Sequence, residues 1–164
     1  MTLAIRAARP DDVPTILAFI RELAEYERLL DQVTADEAQL AATLFGARPA
    51  AEVLLAELDE PVGFALFFQS YSTFLARPGL YLEDLFVRPA ARGRGVGGAL
   101  MAACARICVE RGYGRFEWAV LDWNAPALGF YAALGAVPLT DWSVHRLVGA
   151  PLAALAARWT GTLR

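Results

Sequence analysis

A glycine-rich turn in the second half of the chain is the segment with the clearest capacity for chemistry. It reads Arg92-Gly93-Arg94-Gly95-Val96-Gly97-Gly98, follows an apolar run at 80–87 and precedes an amphipathic helical pattern. A turn of this kind between a strand and a helix N-terminus points several backbone N–H groups at one place, where the helix dipole also favours an anion. The spacing therefore predicts a phosphate-binding turn.

The spacing alone leaves the phosphate ligand open. No Gly-Lys-Ser or Gly-Lys-Thr occurs in the chain, so the nucleotide P-loop pattern is not met. Gly93, Gly95 and Gly98 do fit the G-x-G-x-x-G pattern of dinucleotide sites, but this turn lies past the middle of the chain rather than in a first β-α-β unit. The alternative without a ligand is a turn that only allows strand and helix to pack.

Composition is typical of a globular protein with one domain, which we assign to 1–164. The formal net charge of −3 argues against a nucleic-acid surface. Apolar runs are too short to span a membrane and the first residues lack a signal-peptide pattern, so we expect a cytoplasmic protein without a membrane partner. Cys104 and Cys108 predict buried thiols, and with His145 as the sole histidine we expect no metal site.

Apolar periodicity and turn residues predict strands and helices along the whole chain. The predicted strands lie around Ile5, at 53–56, 62–71 (these two as a hairpin), 80–87 and 116–121, and near Val137 and Val144. The predicted helices start at Asp11 or Asp12, at the capping-box pattern Thr34-Ala35-Asp36-Glu37, after the glycine turn, at Asn124 and at Pro151. Gly46, Gly112 and Gly135 are the predicted ends of the second, third and fourth helices.

Four separated sequence blocks resemble the GNAT superfamily of N-acetyltransferases, and the resemblance covers nearly the whole chain. The spacing Arg92-x-x-Gly95-x-Gly97 is similar to that family's signature for the pyrophosphate of acetyl-CoA. The blocks are Glu22-Leu23-Ala24-Glu25-Tyr26-Glu27, YLEDLFV at 81–87, Arg92-Gly93-x-Gly95-Val96-Gly97, and Trp123-Asn124-x-Pro126 with Phe130-Tyr131-x-x-x-Gly135-Ala136. They look like the diamine acetyltransferase branch, which includes the spermidine/spermine N1-acetyltransferases and thialysine-acetylating relatives.

The resemblance implies an α/β fold with a central mixed, mostly antiparallel twisted sheet flanked by helices, in which strands 4 and 5 splay apart. It implies acetyl-CoA as co-substrate, a small-molecule amine as acceptor, and a homodimer that pairs through the C-terminal segment 141–148. The implied acetyl-CoA contacts are Leu85, Phe86, Val87, Arg92, Gly93, Arg94, Gly95, Val96, Gly97, Gly98, Asn124, Ala125, Pro126, Ala127 and Tyr131. Arg92 would reinforce the anion site by its charge.

Acetyl transfer to an amine needs a base and an acid. An alkyl ammonium with a pKa of about 10.4 must lose a proton before it attacks, and Glu83 is the candidate base, directly or through a water. Tyr131 is the candidate acid for the thiolate, and the resemblance adds Asn124 to the catalytic set. In a regular strand Glu83 and Asp84 point to opposite faces, so both meet a substrate only if a bulge rotates one of them. The alternative for Glu83 is a solvent-facing strand residue or an ion-pair partner, and without the resemblance Tyr131 would be a core aromatic.

The predicted amine-binding residues are Tyr26, Glu27, Glu83 and Asp84, since an aromatic face and carboxylates suit a cation. The acidic run that follows the first helix in polyamine-acetylating relatives is replaced here by a segment that begins with Arg28. A short diamine or a lysine-like amino acid therefore fits better than a long polycation, with Arg28 or Arg77 as partner of a substrate carboxylate. Two alternatives stay open: a peptide or protein N-acetyltransferase, and a catalytically silent acyl-CoA sensor.

Overall fold

The structure is a computed structural model that describes residues 2–162. Its contacts divide the chain into two compact units, Met1–Ala119 and Val120–Arg164. The first unit is built on a five-stranded sheet flanked by helices, and the second consists of helices and extended chain. None of the helices within residues 2–162 combines the length and the apolar character that a membrane crossing requires.

The sheet of the first unit has the strand order β1-β2-β3-β4-β5. Its strands are β1 (Ala4–Ala7), β2 (Glu52–Glu57), β3 (Pro61–Ser72), β4 (Arg77–Val87) and β5 (Phe116–Trp118). Neighbours are antiparallel from β1 to β4, whereas β4 and β5 are parallel. The mixed, mostly antiparallel sheet implied by the resemblance is therefore confirmed, as is the hairpin of β2 and β3.

Helices α1 (Val13–Tyr26) and α2 (Glu37–Phe45) pack on one face of the sheet, and α3 (Val96–Glu110) contacts the strands from the other. On the α1 face the ring of Phe19 stacks on Phe64, with centroids 5.5 Å apart, and lies 6.2 Å from the ring of Phe86. All three side chains are buried, so the apolar stripe of α1 holds this helix against β3 and β4.

The two cysteines of α3 are buried free thiols, as predicted. Burial raises the pKa of Cys104 to about 12, and burial also raises the pKa of Cys108. Because the reactive form of cysteine is the thiolate, both side chains serve packing rather than nucleophilic chemistry at neutral pH.

A β-bulge in β4 determines which of its side chains share a face. Leu66 of β3 pairs with Asp84, whereas the next residue, Phe67, pairs with Leu82, so Glu83 is the extra residue of β4. Beyond the bulge the alternation is shifted by one position. Tyr81 and Asp84 consequently face the same side as Phe86, which is the α1 side.

The parallel pairing joins only Leu80–Leu82 of β4 to Phe116–Trp118 of β5. β4 continues to Val87, whereas β5 ends at Trp118. Within the described part of the sheet, residues 83–87 therefore form a strand edge beyond the β5 pairing. This is the stretch where the resemblance predicts that strands 4 and 5 splay apart.

The second unit contains α4 (Ala125–Ala133) and α5 (Gly149–Ala156). The Asn124 side chain caps α4 as predicted, because its Oδ1 accepts a hydrogen bond from the backbone N–H of Ala127 at 3.3 Å. Pro126 lies in the first turn, and Gly135 adopts a left-handed φ of +83° just after the helix. These are the helix signals that the sequence predicted.

The strands predicted near Val137 and Val144 are wrong for this structure. Residues 136–139 and 142–148 form neither a strand nor a helix. An apolar alternating pattern makes a strand only where a neighbour completes its backbone hydrogen bonds, and the pattern itself does not supply one. The fifth strand likewise ends at Trp118 rather than at residue 121.

Two helix caps also differ from prediction. The capping box of α2 is formed by Asp36 and Gln39 rather than by Thr34 and Glu37. Before α1, the Asp12 carboxylate is engaged by Arg6 at 2.7 Å and by the backbone N–H of Arg9 rather than by the helix. Several short polar residues compete for such positions, and local geometry decides among them.

Candidate active site

The glycine turn has the geometry of an anion-binding helix start. Gly93 and Gly95 have φ values of +73° and +79°, left-handed conformations that glycine adopts without a steric cost. Gly95 is the N-cap of α3, so the first N–H groups of the helix have no carbonyl partner within it, and the positive end of the helix dipole lies here. These groups are suited to holding a phosphate.

Gly98 leaves open space at the same helix start. Its φ lies outside the left-handed range, and a Cβ built on it would meet no atom of the described residues within 4 Å. Neither backbone conformation nor packing within the described chain therefore requires glycine at this position. A ligand that approaches the backbone closely would supply such a reason.

Leu85, Phe86 and Val87 lie on the strand edge beyond the β5 pairing. The Phe86 side chain is buried in the core, so this residue has only its backbone to offer a ligand. The Val87 carbonyl accepts a hydrogen bond from Nε of Arg92 at 2.9 Å. The three residues whose backbone is predicted to contact acetyl-CoA therefore lie directly before the segment that leads into the glycine turn.

Three carboxylates of the first unit lie close enough to interact electrostatically. Burial, and after it the charges of Glu83 and Glu27, raise the pKa of Asp84 to about 6. Burial also raises the pKa of Glu27. Asp84 and Glu27 are half-buried, whereas Glu83 is exposed. We call Glu27, Glu83 and Asp84 the acidic cluster.

The acidic cluster joins residues far apart in the sequence. Glu27 directly follows the last turn of α1, and the other two carboxylates lie at the bulge of β4. Three like charges repel one another in a partly buried site, so a cation there would be stabilised at neutral pH. The predicted amine-binding residues Glu27, Glu83 and Asp84 are thus brought together by the fold.

The fourth predicted amine-binding residue, Tyr26, contacts Arg92, the residue before Gly93 of the glycine turn. The guanidinium of Arg92 lies 4.9 Å from the centroid of the Tyr26 ring and 5.9 Å from that of Phe86. Arg92 was expected to add its charge to the anion site, but its side chain lies over these aromatic rings and on the Val87 carbonyl. One face of the Tyr26 ring is therefore already occupied by a cation.

The second unit holds Asn124, Ala125, Pro126, Ala127 and Tyr131. Asn124 is buried and its Oδ1 is committed to the cap of α4, so its role in this unit is to start the helix. Tyr131 lies in the second turn of α4, half-buried, with its ring 5.3 Å from that of Phe130.

Sequence reasoning missed two features of this site. Tyr81 faces the same side as Asp84 because of the bulge, its ring lies 5.1 Å from that of Phe68, and burial and the charge of Glu83 raise its pKa. The pair Arg88 and Glu22 ties the end of β4 to α1. Neither a bulge nor a long-range ion pair leaves a local signal in sequence spacing.

The β4 edge, the glycine turn at the start of α3 and the acidic cluster all belong to the first unit. The chain matches the Acetyltransferase (GNAT) family over residues 17–136 and belongs to that family. The protein is accordingly an N-acetyltransferase that acts on amines.

Two relatives share most of their length with this chain. The thialysine N-epsilon-acetyltransferase of Bos taurus is 41% identical over 166 residues, which cover 94% of this chain and 97% of the relative. The L-ornithine N5-acetyltransferase NATA1 of Arabidopsis thaliana is 36% identical over 197 residues, which cover 92% of this chain and 86% of the relative. Both names describe transfer to the side-chain amine of an amino acid.

Among solved structures, an integron cassette protein from the mobile metagenome of V. cholerae is similar in fold. Its TM-score is 0.79 at 27% identity, with 95% of this chain and 98% of that chain covered. Within residues 2–162, no three His, Cys, Asp or Glu side chains form a group that could hold a metal ion.

Proposed function

We propose that this protein transfers the acetyl group of acetyl-CoA to the side-chain amine of a lysine-like amino acid or to a short diamine, by direct attack in a ternary complex. The observation that carries the choice of acceptor is the acidic cluster. A half-buried Asp84 whose pKa is raised by burial and by two further carboxylates is stabilised by a cationic ligand at neutral pH. A substrate ammonium is such a cation.

The glycine turn supports acetyl-CoA as the donor. The left-handed Gly93 and Gly95, the helix start at Val96 and the open space at Gly98 fit a pyrophosphate held by backbone N–H groups. The edge of β4 at Leu85, Phe86 and Val87 fits the amide groups of the pantetheine arm. Bound there, acetyl-CoA supplies an activated acyl group.

The proposed chemistry needs no covalent acyl-enzyme. The amine nitrogen forms a bond to the acetyl carbon and the carbon–sulfur bond breaks, while the nitrogen loses two protons, of which one ends on the thiol and the other in solvent. Glu83, exposed at the bulge, accepts a proton from the ammonium directly or through a water. Tyr131 donates a proton to the departing sulfur, and Asn124 orients the start of the helix that carries Tyr131.

A carboxylate partner distinguishes an amino-acid acceptor from a diamine. Arg77 starts β4, and the seven residues from there to Asp84 span roughly 20 Å at about 3.3 Å per residue. Arg28 instead directly follows Glu27 of the acidic cluster, and it adopts a left-handed φ of +62°, which is uncommon outside glycine. We therefore propose that Arg28 binds the carboxylate of an amino-acid substrate. The names of the two relatives, which refer to thialysine and ornithine, support an acceptor of this class.

We further propose a cytoplasmic homodimer in which 1–164 acts as one catalytic domain. The segment 142–148, which forms neither a strand nor a helix, carries exposed apolar side chains, with Trp142 80% and Val144 84% exposed. An alternating apolar segment without a strand neighbour is suited to pairing with a second copy across a two-fold axis.

The proposal is tested by CoA release from acetyl-CoA with thialysine, ornithine, lysine, short diamines, spermidine, spermine and an N-terminal peptide. We expect turnover with the amino acids and short diamines, and Arg28→Gln should lower kcat/KM for the amino acids but not for the diamines. Turnover with the peptide alone would overturn the acceptor class. Absence of acetyl-CoA binding would contradict the proposal that acetyl-CoA is the acetyl donor.

A further inference from the structure

Two arginines in the segment between β4 and the glycine turn contact the second half of α1. Arg88 donates from Nη2 to Oε1 of Glu22 at 2.8 Å and from Nε to Oε2 at 3.0 Å. Four residues later, the guanidinium of Arg92 lies 4.9 Å from the ring centroid of Tyr26. We call these four residues, Glu22, Tyr26, Arg88 and Arg92, the arginine clasp.

The clasp connects the two proposed binding regions. Glu22 and Tyr26 are one helical turn apart and therefore lie on the same face of α1. Arg92 directly precedes Gly93 of the glycine turn, and Tyr26 directly precedes Glu27 of the acidic cluster. A single side-chain contact thus lies between the segment that would hold acetyl-CoA and the helix end that would hold the amine.

The two contacts of the clasp differ in strength. Arg88 and Glu22 have side chains only 34% and 35% exposed, their hydrogen bonds are bidentate, and Arg88 also donates to the Pro61 carbonyl and lies 4.8 Å over the Phe19 ring. Such a charge-assisted pair is strong. Arg92 is exposed, and a cation–π contact at an exposed site is weak. The first contact therefore holds α1 in place, whereas the ring contact of Arg92 contributes little free energy beside the hydrogen bond that its Nε donates to the Val87 carbonyl at 2.9 Å.

We propose that Arg92 and Tyr26 act as positioning residues that couple the two substrate sites, so that CoA and the amine bind more tightly together than alone. This inference rests on the proposed function. A ligand in the glycine turn orders the segment that carries Arg92 and so favours the closed contact. The closed contact in turn holds Tyr26 and the adjacent Glu27, and the same linkage acts in the reverse direction.

The test measures the Kd of CoA by calorimetry, first without amine and then at increasing thialysine concentrations until the Kd no longer changes. CoA with an amine forms no product, so the complex is stable during the measurement. In the wild-type protein we expect amine to tighten CoA binding about fivefold, the lower end of typical couplings. The coupling is given by the ratio of the CoA Kd without amine to the CoA Kd with amine. Tyr26→Leu and Arg92→Met should each bring this ratio close to one, and the double variant should change it no further. Tyr26→Phe keeps the ring and should retain the ratio.

A matched control lies at the other end of α3. Arg111 also makes a bidentate pair, with Glu52 at 2.6 and 2.8 Å, and also lies over a tyrosine ring, that of Tyr113 at 6.0 Å. Arg111→Met should retain the wild-type ratio. A ratio of one in the wild-type protein, unchanged ratios in Tyr26→Leu and Arg92→Met, or an equal loss in Arg111→Met would each overturn the coupling. If the wild-type protein turns over no amine, the proposed function itself fails.

Discussion

The glycine turn and the acidic cluster, the two proposed binding regions, are suited to opposite charges and are built in different ways. The turn is one contiguous segment that presents backbone N–H groups, and its left-handed Gly93 and Gly95 matter because they leave the backbone accessible. The acidic cluster consists of side chains from the end of α1 and from the bulge of β4, so Glu27 and Asp84 lie far apart in the sequence. A backbone site is encoded locally, whereas a side-chain site depends on packing.

This difference separates the effects that substitutions should have. A change in the glycine turn alters shape but leaves every charge in place, whereas a change in the acidic cluster alters charge and leaves the backbone in place. Substitutions in the glycine turn should therefore change the binding of acetyl-CoA, and substitutions in the acidic cluster should change the binding of the amine. The coupling proposed for the arginine clasp is the one exception.

The largest effect is expected for a change that leaves both sites intact. Tyr131→Phe removes the proposed proton donor and should lower kcat by about 100-fold or more, since positioned acid–base groups contribute on the order of 100- to 10,000-fold. The Kd of acetyl-CoA should change little, because the ring remains. Steady-state kinetics together with calorimetry measures both quantities. Unchanged kcat would remove Tyr131 from the mechanism.

Asp84→Asn tests the acidic cluster and should reduce kcat/KM for the amine by about 30-fold, as expected when a charge-assisted contact worth about 2 kcal/mol is lost. The Kd of CoA alone should stay within about twofold. Asp59→Asn removes the same charge from the exposed turn between β2 and β3 and is the matched control. If Asp84→Asn and Asp59→Asn reduce kcat/KM equally, the reduction comes from the change in net charge and not from the acidic cluster.

Gly98→Ala tests the glycine turn. The new methyl group meets no described atom within 4 Å, so the fold should keep its stability, but the methyl group enters the space assigned to the pyrophosphate. We expect about tenfold weaker CoA binding with an unchanged KM for the amine. Gly129→Ala places a methyl group in similarly open space on α4 and controls for glycine replacement in a helix. Wild-type CoA affinity in Gly98→Ala would place the ligand elsewhere.

The smallest effect concerns stability and pH. In the folded protein the pKa of Asp84 is raised from 3.8 to about 6, so the folded state binds more protons than the unfolded state between these values. Stability should therefore fall as pH rises from about 4 to about 6. Asp84→Asn has no carboxyl group at this position, so its stability should not fall over this pH range. Its free energy of unfolding should exceed that of the wild type at pH 7, on the order of 2 kcal/mol, and should not exceed it below pH 4. Urea unfolding at several pH values measures the difference, and an advantage that persists at pH 3.5 would contradict this origin.

Several features followed from the sequence because their causes are local. The hairpin, the Asn124 cap, the ends of α3 and α4 at glycine, and the glycine turn all depend on residues a few positions apart. The resemblance added the mixed sheet and the family. Alternating apolar residues near Val137 and Val144 misled the strand prediction, because a strand also needs a neighbour and the pattern does not name one.

The sequence by itself determined the glycine turn, since a backbone turn is specified by which residues are glycine and where they stand. It also named the candidate amine-binding residues, but only the tertiary structure decided how they are placed relative to one another. The bulge at Glu83 placed Tyr81 on the same face as Asp84 and Phe86, the packing of Phe19 on Phe64 brought the end of α1 to β4, and Arg92 contacts Tyr26. These contacts depend on the register of strands and on the packing of distant side chains, which residue types and spacing do not specify.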